Sequence, residues 1–291
     1  MLRLRTDLAV EARELAGDRI SGVDYREYSR SGLKVSRLCV KSESARRRLS
    51  KEQGTYITIE LPSLTDNFSR TDERLKIIGE EIRGLLPVNG MLLVAGLGNE
   101  EITPDALGPR TASRVLATRH IRGELARASG LDRLRPVAVL STGVTGQTGI
   151  ETGEYISSIV KRIRPAAVVA VDALASRRLE RLGTTLQISD TGISPGAGVG
   201  NHRVKINSET LGVPVIAVGV PTVVDLRTFA ADLLDSGLRD DESRLVSTAD
   251  RPVIIPREID LLIDRASRLL AFSLNAAFHD RFDLEELAQL M

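Results

Sequence analysis

The chain has 291 residues, 42% of them hydrophobic and 27% charged, with a formal net charge of +1. That balance suits a globular fold with a sizeable core, and it excludes a disordered composition and an overall basic field for nucleic acid. A single cysteine, Cys39, excludes an intrachain disulfide, and no apolar segment approaches the roughly 20 residues needed to span a bilayer.

In chain order, Met1-Leu2-Arg3-Leu4-Arg5-Thr6-Asp7 lacks the apolar centre of a signal peptide, so a reduced, cytoplasmic setting is expected. Residues 22–61 place Tyr25, Tyr28, Val35, Leu38, Val40, Tyr56, Ile57 and Ile59 among polar neighbours, the pattern of two or three antiparallel edge strands. Within them, Arg46, Arg47, Arg48 and Lys51 read as a solvated basic face. Residues 70–86 form an amphipathic helical pattern. Four continuous apolar runs then read as strands covered on both faces: 91–96, 137–140, 166–171 and 213–218, with a weaker one at 185–188. Helical segments at 107–125 and 151–163 separate the first three. Strand–helix alternation of this kind predicts an α/β fold with a doubly wound, mostly parallel sheet, helices on both faces, and antiparallel edge strands added near the N-terminus. Residues 236–253 read as an irregular connection, and 258–290 as helical.

Ligands of open parallel sheets bind beyond the carboxyl ends of the strands, so the segments after each strand carry the chemistry. Five are rich in Gly, Thr and Asp and are expected to open at one sheet edge: 96–109, 142–149, 172–175, 190–202 and 219–225. Gly96-Leu97-Gly98 begins like a dinucleotide loop, but Glu101 replaces the third glycine and no P-loop lysine follows. The glycines are better read as tight turns allowing close backbone approach.

Asp105 stands where a loop enters a helix, a common capping position, and Asp172 ends the most apolar strand. Two such carboxylates on adjacent strands can share a proton, their repulsion splitting the apparent pKa values into a base and an acid. Ligand chemistry also leaves a hard cation on Asp105, Asp172 and Glu151 open. HExxH, the helical zinc-protease motif, is absent. His120 and His279 are expected on charged, solvated helical surfaces. His202, in a site loop, suits either ligand orientation or a surface role.

Arg5-Thr6-Asp7-Leu8-Ala9-Val10-Glu11, Gly96-Leu97-Gly98-Asn99, Thr103-Pro104-Asp105-Ala106-Leu107-Gly108-Pro109, Asp172-Ala173-Leu174-Ala175 and Ser194-Pro195-Gly196-Ala197-Gly198-Val199-Gly200-Asn201 together resemble the germination protease family of spore-forming bacteria. The resemblance spans residues 5 to about 230. It implies the phosphorylase/hydrolase-like fold of hydrogenase maturation endopeptidases, a homotetramer, no cofactor, and cleavage of small acid-soluble spore proteins in the spore core. It further implies that Asp105 and Asp172 are catalytic. Supporting positions on the matching loops are Gly98, Asn99, Thr103, Thr145, Gly146, Gln147, Glu151, Ser194, Asn201 and His202. Family cleavage sites run acidic, large apolar, Ala, any residue, Glu, and Asp7-Leu8-Ala9-Val10-Glu11 fits. A propeptide of residues 1–7, cut between Asp7 and Leu8 from a single peptidase domain of residues 8–291, is therefore expected. The alternatives are a hydrogenase-maturation-type endopeptidase and a non-enzymatic nucleotide- or phosphate-binding protein.

Overall fold

A computed structural model describes residues 6–17, 19–64, 66–69, 72–194, 204–233 and 252–290. Its nine strands are β1 (Val23–Arg30), β2 (Leu33–Val40), β3 (Gly54–Glu60), β4 (Leu92–Gly96), β5 (Val137–Ser141), β6 (Ala167–Ser176), β7 (Thr185–Ser189), β8 (Val215–Asp225) and β9 (Val253–Ile254). They form one sheet in the order β1-β2-β3-β7-β8-β6-β4-β5, with β9 against β8. The helices are α1 (Ala9–Ala16), α2 (Glu43–Leu49), α3 (Glu73–Arg83), α4 (Leu107–Ala112), α5 (Gly123–Ala128), α6 (Thr145–Thr148), α7 (Thr152–Ile163), α8 (Ser208–Leu211), α9 (Leu226–Leu233), α10 (Ile259–Phe278) and α11 (Leu284–Leu290).

The α/β class holds, and β5, β4, β6 and β8 are its parallel core. Their valines and leucines point alternately to two faces. Val94, Val169 and Val218 pack under α3, α4 and α10, while Leu93, Val168, Ala170 and Val215 pack under α7 and α8. Helices thus cover both faces, as apolar runs without polar alternation require. The N-terminal strands add an antiparallel leaflet with a small core of its own, built from Ala9, Ala12, Ile20, Leu38, Val40, Ala45, Leu49 and Tyr56.

Three details depart from the sequence expectations. First, β7 runs antiparallel to both β3 and β8, so the segment beginning at Asp190 leaves from the opposite end of the sheet and the five loops do not share one edge. A short apolar run looks the same in either direction. Second, the helix expected over 107–125 stops at Ala112. The following residues turn to serve the start of β5: Arg119 donates its N–H to Val137 O (2.9 Å), and Thr118 Oγ1 accepts from Val137 N (3.0 Å). Third, His279 is 1% exposed rather than solvated, because it closes α10, which is packed between the sheet, α3 and α4. His120 is exposed as expected. No helix among the described residues is long and apolar enough to cross a membrane.

Candidate active site

β6 and β8 continue past their neighbours. Gly96, the last residue of β4, pairs with Val171, whereas β6 runs on to Ser176 beside β8. Asp172 therefore lies inside its strand and not at its end, at the level where the β4 partner is lost. The carboxyl shares a face with Ala170 and Val168, beyond the part that α7 and α8 cover. Its Oδ1 accepts from Ala173 N (2.9 Å). A bulge between Leu174 and Ala175 accommodates Pro221, which has no N–H to give the ladder.

The turn after β4 brings in the second carboxylate. Asp105 ends a 3-10 turn over Thr103–Asp105, and its Oδ2 accepts from Asn99 N (2.7 Å). Gly98 makes that approach possible: its φ is +113°, and a Cβ there would lie 2.1 Å from Asp105 O. Asn99 Oδ1 in turn accepts from Glu101 N (2.9 Å) and Gln147 Nε2 (2.8 Å), tying the turn to α6. Thr222 Oγ1 donates to Pro104 O (2.9 Å), tying it to β8. Asp105 and Asp172 line one cleft of about 690 Å³, together with Gly98, Asn99, Lys51, Gln187, Gly219 and Ser194.

The chain's own N-terminal segment enters this cleft at Thr6 and Asp7 and is held residue by residue. Asp7 pairs with the extended part of β6, its N–H donating to Ala175 O (2.9 Å) and its Oδ2 accepting from Ala175 N (2.8 Å). Leu8 is fully buried with Val10, Leu174 and Ile193. Glu11, also fully buried, accepts from the backbone N–H groups of Arg177 (2.8 Å) and Arg178 (3.0 Å) and from Thr6 Oγ1. The Asp7 carbonyl oxygen accepts from Lys51 Nζ (2.8 Å) and from Gln187 Nε2 (2.8 Å).

Of the positions expected to support a site, Gly98, Asn99 and Ser194 line the cleft, and Thr103 opens the turn that carries Asp105. Gln147 reaches the cleft through Asn99. Thr145 donates to Glu151 Oε1 (3.2 Å) just outside it, and Gly146 sits in the same short helix without contacting the cleft. No group of three His, Cys, Asp or Glu side chains suited to a metal occurs among the described residues, so Asp105, Asp172 and Glu151 do not converge as ligands. Asn201 and His202, with residues 195–200, lie outside the described residues.

Two cleft residues were not legible as such. Lys51 closes a basic run in which Arg46 and Arg47 pair with Glu43 and Glu52 and the exposed Arg48 donates to Ala16 O, as a solvated face should. Its ammonium, by contrast, is enclosed, and burial pulls its pKa below the usual lysine value against the attraction of Asp7 and Glu11. Gln187 did leave a trace, as an amide in the otherwise apolar Leu186-Gln187-Ile188 of a buried strand.

A family model of germination proteases matches residues 5–252. The chain is 42% identical to the germination protease of Caldanaerobacter subterraneus subsp. tengcongensis, covering 100% of this chain and 99% of the relative. It is 39% identical to that of Clostridium tetani (98% of each) and 33% identical to that of Priestia megaterium (97% of this chain, 95% of the relative). Among solved structures, a [NiFe] hydrogenase maturation protease, HycI from Thermococcus kodakarensis, aligns with a TM-score of 0.37 at 17% identity, covering 67% of this chain and 98% of that one.

Proposed function

Because the chain belongs to the germination protease family it is a peptidase, and we propose that it is the endopeptidase that begins breakdown of small acid-soluble spore proteins in the spore core. Asp105 and Asp172 are the reacting carboxylates. One takes a proton from a water that attacks the scissile carbonyl, and the other gives a proton to the departing nitrogen. The chain is a zymogen that cuts itself between Asp7 and Leu8, releasing residues 1–7 from the peptidase of residues 8–291. Until then the segment fills the cleft and excludes other chains. The observation that carries this reading is the chain's own Asp7, held against β6 in the cleft that both aspartates line.

The test is digestion of a purified small acid-soluble spore protein by the form beginning at Leu8, beside Asp105→Asn and Asp172→Asn, with and without EDTA. Cleavage after an acidic residue, lost in both variants and indifferent to EDTA, is the expected result. Loss with EDTA and recovery with a divalent ion would make the aspartates metal ligands. A homotetramer completes the proposal, and light scattering should return the mass of four chains.

A further inference from the structure

We propose that Lys51 and Gln187 form the carbonyl-binding donor pair of the cleft, holding the oxygen of the residue before the scissile bond and taking up the negative charge that grows on it. The inference rests on the reading of Asp7–Leu8 as the bond the chain cuts in itself.

Geometry singles out this carbonyl. The Gln187 side chain brackets Leu8 as a neighbouring strand would, with Oε1 accepting from Ala9 N (2.6 Å) and Nε2 donating to Asp7 O (2.8 Å). The Ala9 N–H requires an acceptor, so the amide cannot be turned over, and its NH₂ must face Asp7 O. Lys51 Nζ meets the same oxygen at 2.8 Å and Thr6 O at 3.0 Å. One peptide oxygen thus receives two side-chain donors, one of them cationic and enclosed. Removing an ammonium from water is costly, and the attraction of Asp7 and Glu11 returns only part of that cost. The arrangement becomes favourable when Asp7 O carries a full negative charge, as in a tetrahedral intermediate.

The sheet register supplies the opposite side. Asp172 and Gln187 are both registered against Gly219 of β8, one from each neighbouring strand, so their side chains share a face about 10 Å apart at Cα. Gly219 has no side chain of its own, and the Leu174 side chain packs over it, 2.7 Å from where a Cβ would lie. The donors and the carboxylate therefore stand on opposite sides of Gly219 and Leu174 in the one cleft that all of them line.

The step balances as follows. Water oxygen bonds to the Asp7 carbonyl carbon, its proton passes to the basic carboxylate, and the carbonyl π pair moves to the oxygen held by Lys51 and Gln187. Collapse restores the C=O and breaks the C–N bond, and the Leu8 nitrogen takes its proton from the acidic carboxylate. Lys51 and Gln187 exchange no proton.

The full-length chain provides the assay: release of residues 1–7, followed by intact mass under conditions where the wild type cuts itself. Lys51→Met and Gln187→Met should each slow release roughly 10²–10³-fold, the usual effect of deleting one oxyanion donor. Lys51→Arg, which keeps a cationic donor, should recover much of the rate. A second readout needs no turnover. In uncleaved Asp172→Asn protein with ¹³C-carbonyl aspartate and ¹⁵N leucine, the Asp7–Leu8 carbonyl resonance should move upfield on adding Lys51→Met, while the Asp7 amide stays protected by Ala175. Release within threefold of wild type in both methionine variants, or an unmoved carbonyl resonance, overturns the donor pair and leaves the self-cleavage reading intact. A wild type that never releases residues 1–7 overturns both.

Discussion

Gly98 and His279 show how much a single position can control. At Gly98 the backbone holds a φ of +113°, and any Cβ would sit 2.1 Å from the carbonyl oxygen of Asp105. Relief can come only from moving the turn that aims Asp105 into the cleft, since the backbone offers no rotamer to adjust. Gly98→Ala should therefore lower kcat at least tenfold while costing about 1–3 kcal/mol of stability, the range for a strained backbone position. Steady-state cleavage and urea unfolding on the same preparation would check both parts. His279 affects stability without touching the cleft. Neither ring nitrogen has a hydrogen-bond partner among the described residues. Burial first, and then the charge of Arg135, push its pKa down to about 4, with Asp280 opposing. The folded value lies below the unfolded one of about 6.5, so the stability is present above pH 6.5 and is lost as pH falls toward 4. The gap is worth about 3 kcal/mol, most of it lost by pH 4.5. Urea unfolding at pH 7 and pH 4.5 should show His279→Leu losing about 2–3 kcal/mol less than wild type, and equal losses would refute the assignment. The carboxylates were legible in the sequence because Asp172 follows an apolar run and Asp105 sits in a glycine-bounded turn. His279 was misread because the charged Asp280 and Arg281 follow it in sequence, while in space it ends a buried helix.

Among the elements, α1 depends most on contacts it does not itself supply. Eight residues are too few for a helix to persist alone, and Leu8 at its N-cap offers no side-chain hydrogen bond. Glu11 compensates by accepting the N–H groups of Arg177 and Arg178, and Glu14 adds ion pairs to Arg177, Arg178 and Arg181. Glu11→Ala would leave two inward-facing N–H groups without their acceptor. We expect a loss of about 2–4 kcal/mol, from charge-assisted bonds of about 1.5–3 kcal/mol each that are partly replaced by water. A lowered Tm and faster tryptic cleavage at Arg13 would report it, whereas Glu11→Gln, which retains one acceptor oxygen, should fall between. An unchanged tryptic pattern in Glu11→Ala would show that α1 is held by its apolar side alone. Elements were legible where pattern and environment agree. The buried strands β4, β5, β6 and β8 were visible as apolar runs, and β1 to β3 as alternating ones. Their lengths were less so: β6 and β8 extend past the apolar stretch because they pair with each other, and pairing leaves no mark in either sequence taken alone.

At the scale of the molecule, the N-terminal leaflet and the parallel core are joined through β7, antiparallel to β3 on one side and to β8 on the other. Strand order and the reversal of β7 are long-range facts, set by which edges meet, and so were beyond the reach of local pattern. Around the same joint, the N-terminal segment is expected to tolerate trimming at one point but not at another. Cutting after Asp7 removes the Lys51 and Ala175 contacts of residues 6 and 7 but leaves Leu8, Val10 and the α1 alanines in their two small cores. Cutting after Ala16 strips Ala9 and Ala12 from one and Leu8 and Val10 from the other. Full burial of Leu8 and Val10 is worth about 1.5–3 kcal/mol each, and the Glu11 bonds go with them. The sum, roughly 5–10 kcal/mol, is comparable with the entire stability of an ordinary domain. A chain of residues 8–291 should therefore melt within a few degrees of the full-length protein, while one of residues 17–291 should lose its cooperative transition or melt far below it. Thermal unfolding by circular dichroism on the two truncations decides the matter: closely similar melting temperatures would mean that α1 is only a passenger on the sheet, and that the leaflet stands without it.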